Sequence, residues 1–156
     1  MQDKTNVMRI LDSKKIDYIP HYYNDSDNVA GMDVAIYLNE NPDQVFKTLV
    51  TRAHSGIYYV FVVPVSKELD LKKAAKSVNE KSIEMIKQKE LLPLTGYIHG
   101  GCSPIGMKKF FKTVIDISSN NFNTICISAG KVGSQIEIKV EDISKVIKIE
   151  FADVVK

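Results

Sequence analysis

The most constraining feature of this sequence is an almost unbroken apolar run over residues 57–65. A strand with one face in water alternates apolar and polar residues, whereas an apolar run of this length indicates a strand buried on both faces. The run follows Ala53-His54-Ser55-Gly56, which is typical of a hairpin turn. We therefore predict that 57–65 is a central strand, preceded across the hairpin by a strand at 45–51.

The remaining segments predict short helices and strands in an irregular order. Helices are expected at 6–15 after the capping residue Thr5, at 29–38 after a polar turn, at 71–76 after Asp70, at 86–91 before Pro93, and at 141–146. Further strands are expected at 17–23, 81–85, 113–117, 124–128, 135–140 and 148–151, with Pro20 suited to a sheet edge. Residues 41–44 resemble a single helical turn. Because hairpins join several strands and helices only some, the pattern predicts an α+β fold. Its sheet would be mixed, largely antiparallel and partly barrel-like, flanked by helices.

Composition narrows the class of protein. The chain has 156 residues, 44% of them hydrophobic and 26% charged, which predicts one globular domain over 1–156. A net charge of +2 argues against a protein that coats DNA, because such binding normally needs a large basic surplus. No apolar run is long enough to cross a membrane. Two cysteines and no signal peptide predict a cytoplasmic protein with free thiols.

Residues 95–106, Thr-Gly-Tyr-Ile-His-Gly-Gly-Cys-Ser-Pro-Ile-Gly, hold four of the eight glycines in the chain. Adjacent glycines allow a tight turn and a close approach to another molecule, and Pro104 stiffens the segment. Such a loop presents bare backbone N–H groups that can hold an anion or a polarised carbonyl oxygen. A plain surface turn has the same composition, so both interpretations stay open.

Lys47 is the single charge within 45–50, an otherwise apolar stretch. A lysine in such a strand must reach solvent, an acidic partner or a bound anion, and an edge position facing water is the alternative. Thr48 would point to the opposite face of a regular strand. A second glycine-containing segment, 128–135, is either a tight hairpin or a second rim facing the first loop across a pocket.

The sequence offers little support for a protein nucleophile, a metal or a cofactor. No Gly-x-Ser-x-Gly elbow is present, and Cys102 lies in the glycine loop with no identifiable base nearby. Cys126 lies in an apolar strand and is typical of a core residue. The cysteines and histidines lack metal-ligand spacing, and His99 is either a pocket residue or a structural one. No phosphate-binding or dinucleotide fingerprint occurs.

Four blocks, 41–49, 69–76, 95–106 and 128–131, resemble in order and spacing the YbaK/EbsC family of aminoacyl-tRNA editing proteins, the Cys-tRNA(Pro) deacylases. The resemblance implies a trans-acting enzyme that removes misattached cysteine from tRNA(Pro), with Cys-tRNA(Cys) as a further candidate substrate. It implies substrate-assisted chemistry, in which the cysteinyl thiol attacks its own ester, and no cofactor. Its partners would be the 3′ end of aminoacyl-tRNA and, transiently, prolyl-tRNA synthetase. An Ala-tRNA(Pro) deacylase and a non-catalytic module that binds tRNA ends or a synthetase are the alternatives.

The same resemblance assigns site residues. It implies catalytic roles for Lys47, Gly100 and Gly101. It implies substrate contacts for Tyr23, Met32, Thr48, Cys102, Ser103, Pro104, Ser128, Gly130 and Gln135. Members of the family can carry an acid at the position of Gln135 and often an apolar residue at that of Cys102.

Overall fold

A computed structural model describes residues 4–23 and 31–156 of the protein, and in these residues the strands form two sheets. The larger sheet has the strand order β4-β2-β3-β5-β8 and the smaller one the order β1-β7-β6. The strands are β1 (Tyr18–Tyr22), β2 (Phe46–Ala53), β3 (Tyr58–Pro64), β4 (Ile83–Met85), β5 (Lys112–Asp116), β6 (Thr124–Lys131), β7 (Ser134–Lys139) and β8 (Ile149–Ala152).

The apolar run forms β3 at the centre of the larger sheet, as predicted. It pairs with β2 in an antiparallel hairpin and with β5 in parallel, and β5 pairs in parallel with β8. Phe61 and Val63 pack in one hydrophobic cluster while Val60 and Val62 pack in another, so the strand is buried on both faces. Combined with the antiparallel β1-β7-β6 sheet, this arrangement confirms the predicted mixed α+β class.

Short helices cover the sheets: α1 (Asn6–Ser13), α2 (Gly31–Tyr37), α3 (Leu71–Ser77), α4 (Gln88–Thr95) and α5 (Val140–Ile143), with a 3-10 helix at Ile117–Asn121. The Thr5 hydroxyl accepts a hydrogen bond from the Met8 N–H at 3.2 Å, and the Asp70 carboxylate accepts from two N–H groups of α3. Both predicted N-caps are therefore confirmed. The predicted polar turn at 24–28 and the first residues of the predicted helix 29–38 lie outside the described residues.

One local prediction was wrong. Helix α4 was expected to end before Pro93 but continues to Thr95. The Lys87 N–H donates to the Glu90 carboxylate at 2.7 Å, which secures the start of the helix, and Gly96, with φ of +83°, ends it. Pro93 removes one helical hydrogen bond. In this short exposed helix, the hydrogen bond at the start and the glycine at the end outweigh that loss. Residues 41–44 form the single turn that was predicted, because the Gln44 N–H donates to the Asn41 carbonyl oxygen at 2.9 Å and the Asn41 side chain accepts from the Asp43 N–H at 3.0 Å.

The two sheets meet where β2 begins. Val45 forms a parallel bridge with Cys126 of β6, and the Gln44 side chain donates to the Thr124 carbonyl oxygen at 2.9 Å. The largest hydrophobic cluster fills the space between the sheets, so the structure is partly barrel-like without closing into a barrel. Among the described residues, the helices are all too short or too polar to cross a membrane.

Candidate active site

A cavity of about 440 Å³ lies beside the first residues of β2. This volume is in the range of sites that hold small ligands or parts of larger ones. Val45, Phe46, Val65 and Leu91 supply an apolar wall. Because the cavity lies where the two sheets meet, it draws residues from segments far apart in the sequence.

Most of the predicted site residues line this cavity. The first half of the chain contributes Tyr23, Met32, Lys47 and Thr48. The second half contributes Gly100, Cys102, Ser128 and Gln135. The glycine loop and the strand cation therefore border one hollow. Their contacts with a substrate stay predictions.

Gly101, Ser103, Pro104 and Gly130 do not line the cavity in the described structure. The Gly101 N–H donates to the Ile98 carbonyl oxygen at 3.0 Å, so it is already used within the loop. A Cβ atom on Gly101 would lie 3.0 Å from the Val132 nitrogen, which shows how closely the two glycine segments approach each other. Ser103 and Pro104 are buried. These residues shape the loops rather than face the cavity.

Tyr97 anchors both glycine segments. Its ring is buried and its hydroxyl donates to the Ile105 carbonyl oxygen at 2.5 Å. Gly130 has φ of +94°, and a Cβ atom there would lie 3.0 Å from both Tyr97 Cε1 and Val7 Cγ2. Glycine is therefore required at 130 for two reasons, the backbone conformation and the packing against Tyr97.

We expect Gly130→Ala to destabilise the protein more than Gly56→Ala. Gly56 also has a positive φ, of +90°, but a Cβ atom there would meet nothing closer than 3.9 Å. The control should cost about 1–2 kcal/mol through backbone strain alone. Gly130→Ala should cost about 1–3 kcal/mol more because it also crowds Tyr97. Urea unfolding of both variants measures the difference, and equal losses would contradict the packing role of Gly130.

Lys47 is a half-buried cation with no carboxylate within 4.0 Å among the described residues. Burial lowers its pKa, while the charge of Glu68 acts in the opposite direction. The β2–β3 register is continuous from Phe46 to Arg52, so no bulge turns Lys47 and Thr48 to one face. Both nevertheless border the cavity. An unpaired cation at a cavity wall is suited to binding an anionic group of a ligand.

Three polar atoms of the lining lack partners. Thr48 Oγ1, Ser134 Oγ and Gln135 Oε1 are buried and accept or donate no hydrogen bond within the described part of the chain. Buried polar atoms are nearly always hydrogen-bonded, so these atoms indicate polar groups of a ligand or bound water in the cavity. Ser134 lies within the segment 128–135 that was predicted as a possible second rim, but it was not among the predicted site residues.

The glycine loop supplies two further donors. The N–H groups of Gly100 and Cys102 donate to no group in the part of the chain that the structure covers. Both residues border the cavity. Free N–H groups at such a position can stabilise negative charge on a carbonyl oxygen. His99, also in the lining, is exposed.

The Cys102 thiol is poorly suited to nucleophilic attack. The residue is 9% exposed, and burial raises the pKa of its thiol to about 12. Only the thiolate is strongly nucleophilic, and reactive cysteines have lowered pKa values. The cavity therefore contains no activated cysteine. The described residues with metal-ligand distances, His21, Cys126 and Glu137, do not line it.

For the deacylation that the family resemblance implies, we expect Cys102→Ala to keep a rate within a few-fold of the wild type, because the variant keeps the backbone N–H. Single-turnover deacylation measures the rate, and thermal unfolding checks that the variant is folded. A loss near a thousandfold, comparable to removal of an oxyanion donor, would show that the thiol takes part in the reaction.

Comparisons with known proteins agree with this architecture. Residues 29–146 match the family model of the aminoacyl-tRNA editing domain. A protein of Enterococcus faecalis, named as a candidate Cys-tRNA(Pro)/Cys-tRNA(Cys) deacylase, EbsC, is 42% identical over 98% of this chain and 94% of its own. A crystal structure described as a candidate trans-editing enzyme for prolyl-tRNA synthetase has a TM-score of 0.82 at 19% identity, covering 99% of both chains. A hypothetical protein of known structure has a TM-score of 0.87 at 18% identity, covering 96% of this chain and 99% of its own. The two structures show the shared fold, and the family match together with the 42% identical relative shows that this chain belongs to the aminoacyl-tRNA editing domain family.

Proposed function

We propose that this protein is a trans-acting aminoacyl-tRNA deacylase that removes misattached cysteine from tRNA(Pro) and so protects the accuracy of translation. The observation that carries the proposal is the composition of the cavity. Among the described residues, a lysine without an ion-pair partner, loop residues with free N–H groups and unpartnered polar atoms border it, and burial raises the pKa of its cysteine thiol to about 12. This set of residues can bind and polarise an ester but includes no activated nucleophile. The name of the Enterococcus faecalis relative supports the same substrate class.

The missing nucleophile is supplied by the substrate. The thiol sulfur of the bound cysteinyl group forms a bond to its own ester carbonyl carbon, and the bond from that carbon to the ribose oxygen of the tRNA breaks. The thiol proton goes to the departing ribose oxygen. The product is a four-membered thiolactone, which water then hydrolyses to free cysteine. The protein contributes mainly orientation, which can replace several kcal/mol of activation free energy.

Two groups of the cavity stabilise this reaction. The N–H groups of Gly100 and Cys102 donate to the carbonyl oxygen as negative charge develops on it. Lys47 binds a phosphate of the terminal adenosine or polarises nearby oxygens.

Other residues of the lining position the substrate. The space left for the aminoacyl group is bounded by Tyr23, Met32 and Ser128, which therefore determine which side chains fit. Polar atoms that can bind the amino group of the aminoacyl group and the ribose come from Thr48, Ser134 and Gln135.

The partner of the reaction is the 3′ end of an aminoacyl-tRNA. With a net charge of only +2, the protein gains little affinity from general attraction to phosphates. A transient complex with prolyl-tRNA synthetase would supply the missing affinity and select the tRNA.

Deacylation of Cys-tRNA(Pro), Ala-tRNA(Pro), Pro-tRNA(Pro) and Cys-tRNA(Cys), with and without prolyl-tRNA synthetase, tests the proposal. We expect rapid loss of cysteine from tRNA(Pro), slow loss of alanine and no loss of proline. Faster release of alanine would identify an Ala-tRNA(Pro) deacylase instead. Binding of the tRNA end without turnover of any ester would identify a non-catalytic module. Equal rates on both cysteinyl-tRNAs in the presence of the synthetase would contradict tRNA selection by that partner.

A further inference from the structure

A second cluster of reactive side chains lies outside the cavity, on the face of the β1-β7-β6 sheet that is turned away from the main core. Cys126 stands opposite Glu137 in the β6–β7 pairing, and His21 stands opposite Gln135 in the β1–β7 pairing. Directly opposed residues share a sheet face. The donor atoms of His21, Cys126 and Glu137 all lie within 4.8 Å of one another.

Glu40, in the segment that follows α2, lies beside the cluster. Its Oε2 atom accepts a hydrogen bond from Cys126 Sγ at 3.7 Å, and its carboxylate also hydrogen-bonds to the Gln135 side chain. His21 Nε2 lies 3.2 Å from Glu137 Oε1. The separation of His21 Nε2 and Glu137 Oε1 is close to one edge of a coordination tetrahedron with zinc–ligand bonds of about 2.0–2.3 Å, and the Cys126 sulfur completes a set of three ligands.

No lysine or arginine forms an ion pair with Glu137 in the described part of the chain, so a metal ion can approach its carboxylate without competition from such a side chain. A divalent cation bound there would convert the Cys126 thiol to a thiolate.

Supporting hydrogen bonds hold one of the ligands in place. The Thr124 hydroxyl donates to Glu137 Oε2 at 2.8 Å, and the Gln44 side chain donates to Thr124 Oγ1 at 3.1 Å. This arrangement fixes the Glu137 carboxylate while leaving Oε1 directed to the cluster, as outer hydrogen bonds do in metal sites. The side chains of His21 and Glu137 are 30% and 27% exposed, so an ion can enter from solvent.

We propose that His21, Cys126 and Glu137 bind a divalent transition-metal ion, with Zn²⁺ the best match to this mixed set of nitrogen, sulfur and oxygen ligands. Binding replaces the thiol proton, which leaves to solvent, with the metal ion. Because none of the three residues lines the cavity, the ion would have a structural role. It would tie β1 and β6 to each other across β7. This proposal does not depend on the proposed deacylase activity.

Titration with Co²⁺, a spectroscopic substitute for Zn²⁺, tests the site. The full chain is first treated with a chelator and kept reduced with a phosphine. We expect one equivalent of Co²⁺ to bind, giving intense visible bands of tetrahedral cobalt and a near-ultraviolet thiolate-to-cobalt band, both abolished by Zn²⁺. Zn²⁺ should also raise the unfolding temperature of the wild type.

Variants locate the site. Cys126→Ser should lose the thiolate-to-cobalt band, whereas Cys102→Ser, which alters the other buried cysteine, should keep it. His21→Ala, on an exposed edge strand, should weaken Co²⁺ binding at least about tenfold and gives an independent test if Cys126→Ser does not fold. Absence of a thiolate band in the wild type, its survival in Cys126→Ser, its loss in Cys102→Ser, or equal affinity in the wild type and His21→Ala would each overturn the proposal.

Discussion

Replacing the cysteinyl ester with a seryl ester on the same tRNA(Pro) is expected to lower the deacylation rate by at least about a hundredfold, the scale of a lost catalytic group. Serine and cysteine differ by one atom, so both should fit a cavity of about 440 Å³. A thiol is a few per cent ionised near neutral pH and is intrinsically a strong nucleophile, whereas a hydroxyl is not ionised there. The large difference therefore arises from the substrate's own nucleophile.

Single-turnover rates with saturating enzyme measure this difference, because they remove unequal binding from the comparison. Trapping the thiolactone by rapid acid quench before it hydrolyses, and identifying it by mass spectrometry, provides a second readout. Rates within tenfold of each other for the two esters would mean that water attacks directly, and the substrate-assisted step would be rejected. If the cysteinyl ester is turned over and the seryl ester is not, but no thiolactone is trapped, the dependence of the rate on the substrate thiol still holds. The thiolactone would then be hydrolysed rapidly at the site.

Lys47→Ala is expected to reduce deacylation by about 10²–10³-fold, as removal of a preorganised electrostatic contact typically does. The half-buried ammonium has no carboxylate partner in the described residues, so its removal leaves no buried charge behind. Burial already lowers its pKa, so the folded state gains little from the charge itself. The variant should therefore unfold at close to the wild-type temperature while losing activity.

The matched control is Lys67→Ala, which removes an exposed lysine from the turn after β3. It changes the net charge by the same amount without touching the cavity lining, so its activity should stay close to that of the wild type. Wild-type turnover by Lys47→Ala would exclude Lys47 from the site. Equal losses in both variants would mean that overall charge, and not the position of Lys47, determines the rate.

Local sequence patterns predicted most of the fold. The apolar run gave the position of β3 because a strand buried on both faces tolerates few polar residues. Thr5 and Asp70 marked helix starts because their side chains bond nearby N–H groups, an interaction that depends only on neighbours in sequence. The extension of α4 past Pro93 was not predictable in this way, because the loss of one hydrogen bond must be weighed against contacts at both ends of the helix.

The candidate site could likewise be predicted only where the information is local in the sequence. The glycine loop and Lys47 stand out locally, so they could be selected before their proximity was known. Residue type alone could not show that Gly101 and Gly130 pack between the loops while Gly100 borders the cavity, because glycine serves both purposes. The cluster of His21, Cys126 and Glu137 was also invisible, since its members come from three strands and have no regular spacing.

Pro20 lies at the middle of β1, the exposed edge of the smaller sheet, and pairs on its inner side with Ile136 of β7. A proline has no N–H to offer an incoming strand, and edges of this kind resist strand-by-strand self-association. The smaller sheet, which carries Ser128 and Gln135, can therefore keep β1 as an unpaired edge. A strand from a second copy of the chain does not readily pair with this edge. The strand that supplies His21 therefore also limits edge-to-edge pairing of the smaller sheet.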